Sequence, residues 1–166
     1  MKAKLTIDGK EFNVELSEKQ IQDLTKKKTG YERVKQGGFY YTERSNGTSD
    51  SNREDKVGAD DRWYECANYY SDRTIAENNA RADKLYRQLR RFAVEHRSNC
   101  LDWSDDVEKK YIIYHEFSSN KIRSDYINTW HSFGELYFDS EETAQLAIET
   151  FKDDLLWYFT EYKDSL

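Results

Sequence analysis

Few residues in this sequence have the types and spacing that catalysis requires. The chain contains neither the Gly-x-Ser-x-Gly motif of a serine nucleophile nor a glycine-rich phosphate loop. The histidines available as bases are His96, His115 and His131. His96 and Cys100 are four residues apart and could share a helix face, but a structural zinc site needs four ligands. We therefore expect a binding protein rather than an enzyme, with no metal and no cofactor.

Four carboxylates and a lysine are clustered at residues 102–110. They are Asp102, Asp105, Asp106, Glu108 and Lys110. The cluster is similar to the carboxylate–lysine groups with which nucleases hold a metal ion. It falls in a predicted loop before a strand rather than on the strand, so we do not assign a metal site to it.

Three carboxylates near the C-terminus have a spacing that suits partner binding. On one helix, Glu142, Glu149 and Asp153 fall within about 40° of each other on the side opposite the predicted core. Carboxylates one to two turns apart are separated by roughly 6–10 Å, close to the spacing of successive phosphates. Leu156 and Trp157 flank them, and Trp is enriched in interface hot spots. These five residues are predicted to bind a partner by imitating nucleic acid. The alternatives are a solvated acidic face and a Trp157 that covers the end of the sheet.

Basic side chains form a second candidate surface. Lys84, Arg87 and Arg91 project from one side of a predicted helix at spacings of three and four residues. Such a stripe can bind phosphates or a carboxylate-rich surface, as a nucleotide-binding sponge or single-strand binder would require. Glu77 and Glu95 lie at its edge, so a solvated face is the simpler interpretation. Strand tyrosines could stack on bases but are expected in the core; they are Tyr40, Tyr41, Tyr69, Tyr70, Tyr111 and Tyr114.

Composition limits the class of protein. Aromatic residues make up 15% of the 166 positions, which excludes a disordered chain. No apolar run approaches the length of a transmembrane helix, and no charged-then-apolar signal segment opens the chain. We therefore expect a cytoplasmic protein whose two cysteines, Cys66 and Cys100, are reduced and buried.

Charge is spread unevenly along the chain. Residues 71–100 carry seven Lys and Arg against four Asp and Glu, a net charge of +3. Residues 101–166 carry six against 15, a net charge of −9. DNA binding depends on cations that neutralise phosphates, so we do not expect direct nucleic-acid binding, and no membrane partner is expected. An acidic patch that docks onto a basic protein is the functional interpretation.

Local signals predict a hairpin and a short helix over residues 1–30. Asp8-Gly9 interrupts an apolar–polar alternation and favours the type I′ turn of a hairpin. Ser17 precedes a short helix, and Gln20 completes a capping box with it.

A first β-then-α unit is predicted over residues 31–100. Strands are expected at 37–42, 63–64 and 68–70, before a helix over 71–97 capped at Ser71 or Asp72. The polar residues 45–61 are expected to form either a long β excursion or a mobile loop. Apolar spacing assigns the core face of the helix to Ile75, Ala82, Leu85, Tyr86, Leu89, Phe92 and Ala93.

A second unit is predicted over residues 101–166. It has a loop at 100–108, strands at 111–117, 122–127 and 134–138, and a helix over 140–162 that Ser140 caps. The core face of this helix is assigned to Ala144, Ile148, Phe151, Leu155, Tyr158 and Tyr162.

The two units share one order of elements. Residues 68–76 align with 136–144 without a gap, after which the register slips by about two residues. An internal duplication of a β-meander–helix unit is the economical explanation. The predicted fold class is α+β, with a mostly antiparallel sheet, two long helices on one face and an N-terminal hairpin, all in one compact domain.

Several motifs follow each other in the first hundred residues. They are Thr29-Gly30-Tyr31-Glu32-Arg33-Val34, Gly38-Phe39-Tyr40-Tyr41, Asp61-Arg62-Trp63-Tyr64-Glu65 and Ala67-Asn68-Tyr69-Tyr70. This arrangement resembles small acidic accessory proteins of phages and mobile elements of Gram-positive bacteria. It departs from their pattern at Ala67, where they carry Gly, and at Tyr70, where they carry Phe.

The resemblance implies a setting rather than a catalytic residue. Proteins of this kind include anti-CRISPR and other counter-defence factors of the bacterial cytoplasm. It therefore implies that the chain binds and blocks a host defence protein that handles nucleic acid, such as a CRISPR-associated nuclease.

Overall fold

The computed structural model describes residues 2–164 as an α+β protein. Its helices are α1 (Glu18–Thr25), α2 (Gly58–Glu65), α3 (Arg73–His96), α4 (Glu141–Thr150) and α5 (Lys152–Thr160). Its strands are β1 (Lys2–Ile7), β2 (Lys10–Glu15), β3 (Phe39–Glu43), β4 (Ser49–Arg53), β5 (Lys110–Glu116) and β6 (Lys121–Ile127). Within the described residues, no helix is both long and apolar enough to cross a membrane.

The predicted single antiparallel sheet is replaced by three hairpins. In residues 2–164 the named strands pair only as β1–β2, β3–β4 and β5–β6, all antiparallel. The third strand of each unit is reduced to a single bridge, Tyr41 with Tyr70 in the first and Tyr111 with Phe138 in the second. Each bridge consists of two backbone hydrogen bonds of 2.8 and 2.9 Å.

The N-terminal prediction is confirmed. β1 and β2 pair with Ile7 opposite Lys10, so Asp8-Gly9 forms the turn with φ of +50° and +77°. The backbone N–H of Gln20 donates to the hydroxyl of Ser17, and the backbone N–H of Ser17 donates to the side-chain oxygen of Gln20. These reciprocal bonds are the predicted capping box.

Residues 63–64 lie in helix α2, so the strand predicted there is wrong. Asp60 accepts hydrogen bonds from the backbone N–H groups of Asp55 and Val57, at 3.0 and 3.1 Å. This cap starts a helix before the aromatic pair is reached. In the polar segment 45–61, Ser49–Arg53 takes the extended alternative and pairs with β3, whereas residues 58–61 lie in α2, which neither alternative included.

The strand predicted at 134–138 is also wrong, apart from the bridge at Phe138. Gly134 has a φ of +79°, which an extended strand does not allow. The backbone N–H of Ser132 donates to the Tyr137 hydroxyl at 2.8 Å, so the segment folds back on itself.

The second long helix is broken at Phe151, whose φ and ψ are −110° and 21°. The hydroxyl of Thr150 donates to the carbonyl of Leu146 at 2.7 Å. Such a bond competes with the helical backbone and commonly bends a helix. Residues predicted on one continuous helix over 140–162 therefore lie on two, α4 and α5.

The core lies where α3 packs against α4, α5 and the bridging residue Phe138. Its buried members are Leu85, Leu89, Phe92, Ala93, Phe138, Ala144, Ala147, Ile148 and Leu155. The predicted core faces are confirmed except at Tyr86 and Tyr158, whose side chains are 39% and 40% exposed, and at Tyr162, which is half-buried outside the core. Three of the six strand tyrosines expected in the core are buried, namely Tyr40, Tyr69 and Tyr70, and the other three, Tyr41, Tyr111 and Tyr114, are half-buried.

The two units correspond in geometry around the bridges. In each, an N-cap lies two residues after the bridging aromatic and a fully buried alanine four residues after the cap. The matching pairs are Tyr70 and Phe138, Asp72 and Ser140, Ala76 and Ala144. That this correspondence reflects a duplication stays a prediction.

The two cysteines are not buried. Cys66 follows α2 and Cys100 follows α3, and both are exposed free thiols. The expectation of buried thiols is wrong because each lies in the loop that ends a helix, outside the packed faces of α3, α4 and α5.

Candidate functional site

The three predicted carboxylates lie in solvent on two helices. Glu142 is in the first turn of α4, Glu149 is in its last turns, and Asp153 is in the first turn of α5. All three are exposed, and within residues 2–164 they make no ion pair or side-chain hydrogen bond. We call Glu142, Glu149 and Asp153 the acidic surface. Their charge faces solvent unneutralised, although the break at Phe151 separates Asp153 from the other two.

Trp157 packs against Arg81 of α3 rather than projecting freely into solvent. Its ring is half-buried, and the guanidinium carbon of Arg81 lies 3.9 Å from the ring centroid. The same guanidinium donates to Asp154 at 2.8 Å, and this bond joins α3 to α5. Leu156 is 40% exposed beside it. That Leu156 and Trp157 contact a partner stays a prediction.

The basic stripe is exposed, but its cations are used within the fold. Arg87 donates to the Ser45 carbonyl at 3.0 Å and lies 3.6 Å from Asp83. Arg91 lies 3.7 Å from Glu95 one turn away. These exposed pairs are weak, yet they neutralise charge that an anion would otherwise meet.

Lys84, the third member of the stripe, supports the turn between β3 and β4. A Cβ placed on Gly47 would come within 2.7 Å of the Lys84 Cδ. The aliphatic stem of the lysine therefore packs against a glycine turn, as long basic side chains commonly do.

The side chains of Asp102 and Lys110, in the cluster at residues 102–110, form hydrogen bonds with the backbone of their own loop. The ammonium of Lys110, which is 2% exposed, donates to the carbonyls of Asp105 and Glu108 at 2.8 and 3.1 Å. Asp102 accepts from the backbone and hydroxyl of Ser104. Among the residues that the structure describes, no three His, Cys, Asp or Glu side chains come together as metal ligands.

One buried ionic network was not anticipated from the sequence. The Glu54 carboxylate is fully buried and accepts two hydrogen bonds of 3.0 Å from Arg33 and one of 2.8 Å from the Tyr69 hydroxyl. The Arg33 guanidinium holds the pKa of Glu54 below its ordinary value, against the effect of burial. The network ties the segment after α1 to β4, so its role is structural.

A cavity of about 330 Å³ was also missed. It lies between α3, α5, β5 and residues 134–136, and the exposed Tyr86 and Tyr158 line it. The sequence signal was the placement of Tyr86, Tyr158 and Tyr162 on the predicted core faces, since all three line the cavity.

Comparison with known proteins gives no relative. Neither a family model, nor a curated protein, nor a solved structure matches this chain.

Proposed function

We propose that this protein acts by binding rather than catalysis, and that it blocks a basic, nucleic-acid-handling host protein as a phage-type counter-defence inhibitor. The observation that supports this is the difference between its two charged surfaces. The acidic surface has no internal ion pair in the described residues, whereas Arg87 and Arg91 of the basic stripe are paired with carboxylates.

Arginines and lysines that normally hold phosphates would donate charge-assisted hydrogen bonds to these carboxylates. Complementary charge of this kind mainly accelerates association and depends on salt. The inhibitor would therefore compete with nucleic acid for the groove of its target.

The test is cleavage of target DNA by RNA-guided nucleases of Gram-positive bacteria. The wild-type protein should block at least one nuclease, and the triple variant Glu142→Lys, Glu149→Lys, Asp153→Lys should lose the block and bind that nuclease with a flatter salt dependence. A matched control reverses Glu15, Glu65 and Asp106, which are exposed on other elements. Unchanged inhibition by the triple variant, or inhibition of no nuclease by the wild type, would contradict the proposal.

A second candidate function is anion binding by the basic stripe. A concave site with a volume of about 390 Å³ is lined by the three basic residues together with Ser45 and Gln88. The three cations of this lining, Lys84, Arg87 and Arg91, suit a phosphate group. Titration of the same protein with a labelled single-stranded oligonucleotide separates the two. Salt-dependent binding that Arg87→Gln and Arg91→Gln abolish would favour the sponge.

A further inference from the structure

The cavity between α3 and α5 is open to solvent but has an apolar floor. We call it the aromatic pocket. Phe138, Leu85 and Leu155, which are 1%, 3% and 3% exposed, form the floor. Its volume of about 330 Å³ is at the lower end of the range of small-ligand sites, which is roughly 300–1,000 Å³. A single side chain of a partner is therefore a better match than a larger cofactor.

Three tyrosines surround this floor. Tyr158 and Tyr162 stack with ring centroids 5.2 Å apart and planes 13° from parallel, and Tyr86 comes from α3. Tyr162 is held in place because its hydroxyl donates to Asn79 at 2.5 Å. Aromatic faces carry negative potential and attract cations, most strongly where water is excluded.

The charged residues of the pocket are all acidic. Asp83 and Glu135 line it, and no lysine, arginine or histidine does so among the residues that the structure describes. Glu135 is fixed by a 2.7 Å hydrogen bond from the Tyr137 hydroxyl. Arg87 pairs with Asp83 at 3.6 Å, whereas Glu135 makes no ion pair within residues 2–164.

The surroundings of Asp83 add to the negative potential. Burial raises the pKa of Tyr162 to about 12, and the charge of Asp83 contributes to this shift. Burial likewise raises the pKa of Glu43, with the neighbouring Asp83 acting in the same direction. A cation that binds near Asp83 would offset the charge that acts on these two groups.

We propose that the aromatic pocket binds the guanidinium of an arginine that the basic partner presents, so the inference rests on the proposed function. A guanidinium is planar, stacks on aromatic rings and is more weakly hydrated than an ammonium, so it enters an apolar pocket at lower cost than lysine does. Asp83 and Glu135 supply acceptors for its N–H groups.

Capped single amino acids test this directly, with binding followed by NMR shifts of the pocket residues. The probes are N-acetyl methylamides of arginine, of its neutral analogue citrulline, of lysine and of norleucine. Arginine should bind about fivefold more tightly than citrulline and shift Gly134 and Leu136. Equal binding of citrulline, lysine or norleucine would overturn the proposal, and so would the absence of any shift.

Two variants locate the effect. Asp83→Asn with Glu135→Gln should remove the preference for arginine over citrulline, while the exposed control Glu65→Gln should keep it. The thermal midpoint of each variant shows that it is folded. Tyr86→Leu, which leaves both carboxylates, should weaken arginine more than norleucine.

The two proposals can fail separately. The triple variant of the acidic surface should still bind capped arginine, because none of its substitutions lines the pocket. If the pocket binds arginine but no nuclease is inhibited, the proposed function is wrong. If inhibition occurs without arginine binding, only the present inference is wrong.

Discussion

Glu54 shows how one residue joins parts of the chain that are distant in sequence. It is fully buried, and its partners Arg33 and Tyr69 come from either side of it along the chain. Removing one partner of a buried pair leaves the other without compensation. The stability of the first unit therefore depends on this one carboxylate.

We expect Glu54→Ala to lower the free energy of unfolding by about 3 kcal/mol at neutral pH. Because the folded pKa lies below the unfolded one, this contribution is complete above about pH 4.3 and is lost as the pH falls through the folded value. The difference from wild type should therefore shrink in acid. Urea unfolding across pH measures it.

The exposed Glu65→Ala is the control and should change stability by less than about 0.5 kcal/mol. A pH-independent effect of Glu54→Ala would mean that its packing, not its charge, matters.

At the residue scale, the sequence could predict only what local contacts decide. Ser17, Asp72 and Ser140 bond to backbone groups three residues away, so their capping role follows from the chain itself. The bond from Tyr40 to Asp60 spans 20 residues, and no local pattern indicates it.

At the scale of elements, helix α3 begins at a side-chain N-cap, Asp72. Asp72 accepts a 3.0 Å hydrogen bond from the backbone N–H of Ile75 and so satisfies a donor that the helix leaves free. Asp72→Ala should lower the free energy of unfolding by about 1 kcal/mol, as measured by urea denaturation.

Thr74→Ala, an exposed change in the same turn, is the matched control for this cap. Because Thr74→Ala raises helix propensity and removes no cap, an equal loss in both variants would contradict the capping role of Asp72.

Element prediction failed where a tertiary or side-chain bond overrides the local pattern. Trp63 and Tyr64 have strand-like side chains, but the cap at Asp60 places them in a helix. The apolar spacing of residues 140–162 suits one helix, yet the backbone leaves the helical conformation at Phe151, next to the bond from the Thr150 hydroxyl to the Leu146 carbonyl. Because residues 140–162 were predicted as one helix, the three carboxylates of the acidic surface were predicted on one continuous stripe.

On the scale of the whole molecule, the two units share a core. Leu85, Leu89 and Phe92 of the first unit pack with Ile148 and Leu155 of the second. Separate units would expose these side chains, so we expect one cooperative unfolding transition.

Leu89→Ala should therefore lower the stability of both units together by about 3 kcal/mol. Tryptophan fluorescence and far-UV circular dichroism should give coincident unfolding curves for this variant. The exposed Leu146→Ala should leave them nearly unchanged. Two separate transitions would show that the units unfold independently.

The aromatic pocket could not be predicted at any of these scales from sequence alone. It forms where α3, α5, β5 and residues 134–136 meet, and the spacing along one helix cannot reveal its neighbours. The helical pattern placed Tyr86, Tyr158 and Tyr162 on the core faces, but it gave no sign that they line an open cavity.

The exposed thiols of Cys66 and Cys100 give the protein two native attachment points. Maleimide reagents would reach both without substitution, and each thiol lies at the end of a helix rather than in the core. In air, molecular oxygen can oxidise one such thiol from each of two copies to an intermolecular disulfide, and the two electrons and two protons pass to the oxygen. Preparations without reductant should thus contain covalent dimers that have no bearing on the native oligomeric state.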